Sequence, residues 1–334
     1  MNALLFERPI RFATGPSLSN EEAQDMENIT YHRPVLVTET IELLSPRPGS
    51  LILDGTCGGG GHTEAILRSG ADVLALDQDP DALEFARLRL AEFGSRVTLR
   101  HANFRNAIDV LDELGIAQIG GALIDLGVSS RQLENADRGF SLMRNGPLDM
   151  RMDPRRELTA DEVVNTYSEE ELTRIFRELG EESAARRIAS QIVKIRKETS
   201  FRDTVTLAKT VEKIVARHGR RHPATQIFQA LRMEVNDELA ALQEGLVALT
   251  SRLEPGRRIA VITFHSLEDR IVKNFFRERS REWLDRPEWP EPRRNPEYDL
   301  NLVTPKVVEP GEEEQRGNPR SRSAKLRVAE KIIA

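Results

Sequence analysis

Cysteine is almost absent. Cys57 is the single one in 334 residues, which excludes an internal disulfide and suits a reducing compartment. The chain also lacks any apolar run near the roughly 20 residues that a membrane helix needs, so no membrane partner is expected. Glu7, Arg8 and Pro9 interrupt the first apolar residues before a signal peptide can develop, and a cytoplasmic location is the expectation. No cluster of histidine and cysteine has zinc-ligand spacing, and no metal site is expected. Positive charge is not in excess: 48 basic residues against 54 acidic ones leave a net −6, which argues against a protein that coats nucleic acid. Lysine is scarce, at eight of those 48. The arginine that replaces it suits bidentate contacts with phosphate or carboxylate, although nucleotide bias in a genome gives the same preference.

What is present reads as a globular chain with room for two lobes, 39% hydrophobic and 31% charged. Residues 1–30 mix Pro, Gly, Ser, Asn and acidic residues without a period, and read as a flexible N-terminal tail. Strands are then expected at 51–53, 73–77, 97–101 and 122–125, with helices from His62, over 81–93 and over 107–114. That alternation describes βαβ units in a mostly parallel sheet, an α/β fold. From Leu158 to His218 the sequence is helical in character, with capping boxes at Thr159 to Glu162 and Ser168 to Glu171 and a stop at Gly180. Strand character returns only at Ile259 to Phe264, so the helical part is read as an inserted all-helical domain, 135–222, between segments 31–134 and 223–334 of the α/β domain. A helix from Pro223 carries Val235, Leu239, Leu242, Leu246, Leu249 and Leu253 as one core-facing stripe. Residues 283–312, with six prolines and two tryptophans, read as a long loop, and Ser323 to Val328 as a closing strand.

The first expected strand runs into Asp54-Gly55-Thr56-Cys57-Gly58-Gly59-Gly60-Gly61-His62. A glycine-rich turn between a parallel strand and a helix places backbone N–H groups where nucleotides bind. The dinucleotide fingerprint G-x-G-x-x-G/A fails: counted from Gly58 its last position is Thr63, and from Gly59 it is Glu64. A phosphate loop fails because no lysine follows the glycines. The remaining pattern, Asp54 leading Gly-x-x-Gly-x-Gly, resembles the first motif of S-adenosylmethionine-dependent methyltransferases. Asp77 ends the second strand, 23 positions after Asp54, where an acidic side chain meets ribose hydroxyls. Asp79, before Pro80, reads as a helix N-cap. Phe104 follows the third strand and is read either as a cover for the adenine face or as a core residue. Asp125 ends the fourth strand at the crevice.

Seven blocks in order carry a more specific likeness: Asp54-Gly55-Thr56, Leu123 to Ser130, Asp137 to Ser141, Pro147 to Asp153, His222-Pro223-Ala224-Thr225, Phe264 to Arg270, and Asn318 to Ser323. Together they resemble the bacterial 16S ribosomal RNA (cytosine-N4)-methyltransferases, from about Tyr31 to the C-terminus. The resemblance implies a Rossmann-like class I methyltransferase with a helical insertion, transferring a methyl group from S-adenosylmethionine to the N4 of a cytidine in the decoding region of 16S rRNA. It implies cofactor contacts at Gly60, Gly61, His62, Asp77, Phe104, Asp125 and Gln132, and a partner in 16S rRNA or the small ribosomal subunit. A homodimer is left open.

An amine lone pair delocalised into a pyrimidine must be localised before it attacks, so positioning groups are expected. Asp125 is the candidate for holding the amino group or the cofactor's reactive end. His265, with Ser266, is the candidate for placing the base, against the simpler reading of a structural histidine. Glu268, Asp269 and Arg270 read as an N-cap and ion pair, and the 147–153 block as a hinge or RNA-facing loop. RNA-contact candidates are Arg217, Arg220, Arg221 and His222, and near the C-terminus Arg316, Arg320, Arg322, Lys325 and Arg327, each cluster being alternatively a solvated face. Other readings are a methyltransferase on another RNA, DNA or protein amine, a NAD-dependent oxidoreductase, and a noncatalytic RNA-binding assembly factor.

Overall fold

Strand and helix alternate from the start in the computed structural model, which describes residues 34–215, 222–285 and 287–333. Helix α1 (Val37–Leu44) leads to β1 (Leu51–Asp54), α2 (Gly61–Arg68), β2 (Asp72–Asp77), α3 (Pro80–Arg89), β3 (Val97–His101), α4 (Ala107–Glu113) and β4 (Ala122–Asp125). The helix starts follow from local chemistry. Asp79 caps α3 by accepting from the Asp81 N–H at 3.1 Å, with Pro80 in the first turn where no N–H is needed. The helix expected to reach residue 93 ends at Arg89, and a 3₁₀ segment over Ala91–Arg96 follows, kinked at Gly94, which takes φ 53°.

Past Gly127 the chain enters a second compact unit, Val128–Ala240. It comprises α5 (Ser130–Glu134), α6 (Ala160–Thr166), α7 (Glu169–Glu178), α8 (Ala185–Arg196), α9 (Thr204–Glu212) and α10 (Thr225–Asn236) around Phe176, Ile188, Ile192, Phe201, Leu207 and Leu231. Ser168 and Glu171 form a reciprocal capping box on α7, whereas Thr159 only accepts from the Glu162 N–H. The unit is wider than the expected 135–222, because α10 buries Ile227, Phe228, Leu231 and Val235 in this core. The single helix expected from Pro223 is two: Asp237 adopts φ 52° and ψ 43°, and α11 (Glu238–Arg252) starts afresh. The stripe is divided with it, Val235 serving the helical unit while Leu242, Leu246, Leu249 and Leu253 serve the α/β core.

The 147–153 block, read as a hinge or RNA-facing loop, alternates between the core and the surface, with Pro147 exposed and Asp149, Arg151 and Asp153 half-buried. Leu148, Met150 and Met152 are buried in the helical unit's core. The buried Asn236 amide accepts from the Met152 N–H at 2.8 Å and donates to the Met150 carbonyl at 2.8 Å. A bidentate pair between Asp149 and Arg151 closes the turn.

Back in the first unit, β5 (Arg258–Thr263) is followed by α12 (Ser266–Arg279), a hairpin of β6 (Trp283–Leu284) and β7 (Arg293–Arg294), β8 (Leu300–Leu302), α13 (Glu312–Gly317) and β9 (Lys325–Lys331). The proline-rich stretch expected to be a plain loop therefore contains three short strands. The seven-stranded sheet has the order β3-β2-β1-β4-β5-β9-β8. The first five strands are parallel, and β9 and β8 pair antiparallel. This is a Rossmann-like class I methyltransferase fold. Its order reverses between β1 and β4, and ligands of open α/β sheets bind beyond the carboxyl ends of strands at such a switch point.

Candidate active site

The carboxyl ends of β1, β2 and β4 deliver Asp54, Asp77 and Asp125 around the glycine turn. The turn is pinned to the sheet by Gly55 N–H to the Leu123 carbonyl and Cys57 N–H to the Leu76 carbonyl, both 2.8 Å. Gly60 stands at φ 77° as the N-cap of α2, a conformation that a side chain would oppose. Gly61 is needed for a different reason: a Cβ there would lie 2.7 Å from Pro34.

Asp54 is fully buried, with one oxygen accepting from the Thr63 hydroxyl at 2.6 Å and the other from the Thr56 N–H at 3.1 Å. Burial pushes its pKa up to about 6 against those two hydrogen bonds. Asp77 accepts from the Gly58 N–H at 2.7 Å and the Asp79 N–H at 2.8 Å, one on each oxygen. Each oxygen retains a second lone pair, so the carboxylate can brace the turn and still accept from two hydroxyls. Burial raises it to about 7, and the neighbouring Asp79 and Asp54 add to that. Asp125 is raised well above the usual carboxylate range by burial, then by Asp54 and Glu268. Its N–H donates to the Thr56 hydroxyl at 2.6 Å, its Oδ2 lies 3.4 Å from His62 Nδ1, and its Oδ1 is buried without a partner among the described residues.

Three carboxylates held close against their own repulsion favour a cation. Arg89, which reaches the Gly59 carbonyl, is itself paired with Glu64 at 2.7 Å. A ligand bearing an ammonium and a sulfonium fits this environment, and a pyrophosphate does not. The unpartnered Asp125 Oδ1 adds a buried acceptor that such a ligand, or an amine beside it, can satisfy. S-adenosylmethionine thus fits the residues present. Thr56, Thr63, the Val35 carbonyl and Glu268 were not singled out from the sequence as parts of this site, because each acts through a contact that no local pattern announces.

Other expected residues have different settings. Phe104 is 6% exposed in the α/β core, its Cβ 2.9 Å from where a Gly55 Cβ would stand and its ring 2.3 Å from a Cβ at Gly245. Gln132 lies in the helical unit, where its side chain accepts from the Ser129 N–H at 2.9 Å in a capping box on α5. His265 caps α12: Nδ1 accepts from the Glu268 N–H, and Glu268 Oε2 accepts from the Phe264 N–H at 2.8 Å. That geometry is a structural histidine's, and it lends no support to a base-placing role. Among the RNA-contact candidates, Arg327 and Lys325 are not free phosphate ligands, since both hold Asp269, at 2.7 and 3.6 Å. His222 is bound to Glu212 at 3.0 Å and Arg316 to Glu312 at 2.7 Å. Arg320 and Arg322 are exposed. Arg217, Arg220 and Arg221, like the N-terminal tail, lie outside the described residues.

Comparison with known proteins adds independent findings. The chain is 51% identical over 304 residues to a ribosomal RNA small subunit methyltransferase H of Carboxydothermus hydrogenoformans, covering 90% of this chain and 98% of that one. It is 49% identical to proteins of the same name from Heliobacterium modesticaldum, over 91% of this chain and 99% of that one, and from Syntrophotalea carbinolica, over 90% and 98%. Residues 29–332 match the family model described as the MraW methylase family. With that match over 304 residues and about half of the positions identical to these relatives, the chain belongs to the MraW methylase family.

Proposed function

We propose that the chain transfers a methyl group from S-adenosylmethionine to the exocyclic N4 of a cytidine in the decoding region of 16S rRNA, acting in the cytoplasm. The carrying observation is the carboxylate-lined turn at the switch between β1 and β4 in a chain about half identical to small-subunit rRNA methyltransferases. When bound, the donor supplies a methyl group already made electrophilic by its sulfonium. The chain's part is to bind, orient and accept. Gly60, Gly61 and His62 form the turn against the donor, and Asp77 accepts from its ribose hydroxyls. Asp125 accepts from the donor's cationic end or from the amino group, which favours a lone pair localised on nitrogen. In this reading Phe104 serves the adenine side, Gln132 is the further cofactor contact that the resemblance implies, and the helical unit is the proposed substrate-recognition domain. Arg320 and Arg322, with Arg217, Arg220 and Arg221, contact phosphates. The target base must unstack to reach the crevice, at roughly a few kcal/mol.

The test is labelled methyl transfer to small subunits lacking the modification, followed by nucleoside analysis. N4-methylcytidine is expected, and any other methylated product overturns the substrate assignment. Asp125→Ala should remove most turnover; full turnover would exclude Asp125 from the reaction.

A further inference from the structure

His62, on the first turn of α2, is 5% exposed and has both ring nitrogens engaged. Nε2 lies 2.9 Å from the Val35 carbonyl, which can only accept, so Nε2 carries a hydrogen. In a neutral imidazole Nδ1 would then be a bare lone pair, and it faces Asp125 Oδ2 at 3.4 Å. A carboxylate also offers only lone pairs. The contact is favourable when a proton lies in it.

The other groups facing Asp125 are acidic or neutral: Asp54 from β1, Glu268 from α12 with His265 beyond it, and the Thr56 hydroxyl from the turn. Burial and these acids hold the Asp125 carboxyl toward its protonated form, in which it can take up no further proton. His62 is the residue packed against it that can supply an opposing positive charge.

We propose that Asp125 Oδ1 takes the proton released by the acceptor amine, and that His62, protonated on both ring nitrogens, is the positioning residue that keeps Asp125 ionised and its Oδ2 occupied. This rests on the methyltransferase reading above. The nitrogen lone pair forms the new N–C bond, the bond from methyl to sulfur breaks with its electrons going to sulfur, and the positive charge passes to nitrogen. An N–H bond then breaks, its electron pair returns to nitrogen, and the proton binds Oδ1.

Histidine-ring nitrogen NMR on the free full-length chain tests the pair without donor or substrate, with His62→Leu identifying the signal among six histidines. Both ring nitrogens of His62 should be protonated near neutral pH, and Asp125→Asn should lower the pH at which Nδ1 loses its proton by at least about one unit. A bare Nε2, or an unchanged titration in Asp125→Asn, overturns the proposal even if His62→Leu fails to fold. In methyl transfer, His62→Leu should move the acid limb of the kcat profile up by about one pH unit and lower kcat at pH 7 by up to about tenfold. His62→Gln, which can still donate, should recover part of the rate without restoring the wild-type pH profile. A structural loss would instead lower the rate equally at every pH, and that outcome refutes the role. If the unaltered chain binds no adenosylhomocysteine and methylates no small subunit, the methyltransferase reading fails, while the NMR titration still judges the pair.

Discussion

Asp54→Asn removes a buried charge while leaving its hydrogen bonds satisfiable. The amide oxygen can keep the Thr56 N–H, and the amide nitrogen can donate to the Thr63 oxygen, whose hydroxyl then turns toward Cys57 Sγ, 3.7 Å away. The wild-type carboxyl titrates near 3.8 when exposed and at about 6 in the fold, so the folded state binds its proton more tightly. Stability from this group is therefore full below about pH 4 and is lost as pH rises through about 6, a total of about 3 kcal/mol. Asparagine at this position has no such dependence. Relative to wild type, the variant should gain about 1.4 kcal/mol between pH 5 and 8, most of it before pH 7. The assay is urea unfolding at a series of pH values, followed by tryptophan emission and circular dichroism. Both tryptophans, Trp283 and Trp289, belong to the unit that holds Asp54. A stability difference constant from pH 5 to 8, or one that moves against the variant as pH rises, would refute the reasoning. If the carboxylates serve a cationic donor, the same substitution should weaken adenosylmethionine binding while strengthening the fold.

Gly245→Ala should destabilise the α/β unit by about 1–3 kcal/mol in urea unfolding, because its Cβ would stand 2.3 Å from the Phe104 ring; a loss below about 0.5 kcal/mol would show that the ring can move. Asn236→Ala strips the Met150 and Met152 backbone of buried partners and should cost the helical unit about 2–4 kcal/mol, read by hydrogen exchange at residues 148–152; unchanged protection there would dissociate the amide from the loop. Asp77→Asn sets an amide N–H against the Gly58 or the Asp79 N–H, and calorimetry should find adenosylhomocysteine binding weakened at least about 100-fold, with near-normal affinity counting against a ribose role. Arg322→Glu should weaken small-subunit binding and flatten its salt dependence, whereas Arg327→Glu, which breaks the Asp269 pair, should act first on stability; the reverse pattern would contradict the assignment of the two arginines.

What the sequence announced and what it concealed differ in physical kind. The β1 turn was legible because its constraints surface as glycine: a positive φ at Gly60 and the close approach of Pro34 to Gly61 each demand that residue, and glycine is visible in sequence. Asp77 was legible because the length of a βαβ step fixes where the next strand ends. The break at Asp237 was hidden, since an aspartate can take the left-handed conformation without a glycine or proline to mark it, and the apolar spacing continues across it. The burial of Leu148, Met150 and Met152 depends on Asn236, more than 80 residues away, so a block rich in charge and turn formers looked exposed. The Arg327 and Asp269 pair is concealed for the same reason: a basic residue two positions from another reads as a patch until its acidic partner, 58 residues distant, is known.

The charge of the crevice bears on how an acidic protein handles a polyanionic substrate. Asp54, Asp77 and Asp125 are acids raised by burial, so a phosphate brought to the turn meets no positive charge from them and is repelled by whichever of them is ionised. A nucleotide can then enter only by its base, with the backbone held back, which is the geometry that methylation of an exocyclic amine requires. The positive charge needed for the backbone has to lie apart from the site. The ion pairs support this division: Arg89, which reaches the turn, is neutralised by Glu64 and Arg327 by Asp269, while Arg320 and Arg322 stand exposed. A net charge of −6 is therefore no argument against an RNA substrate when acids line the turn while Arg320 and Arg322 are exposed to solvent.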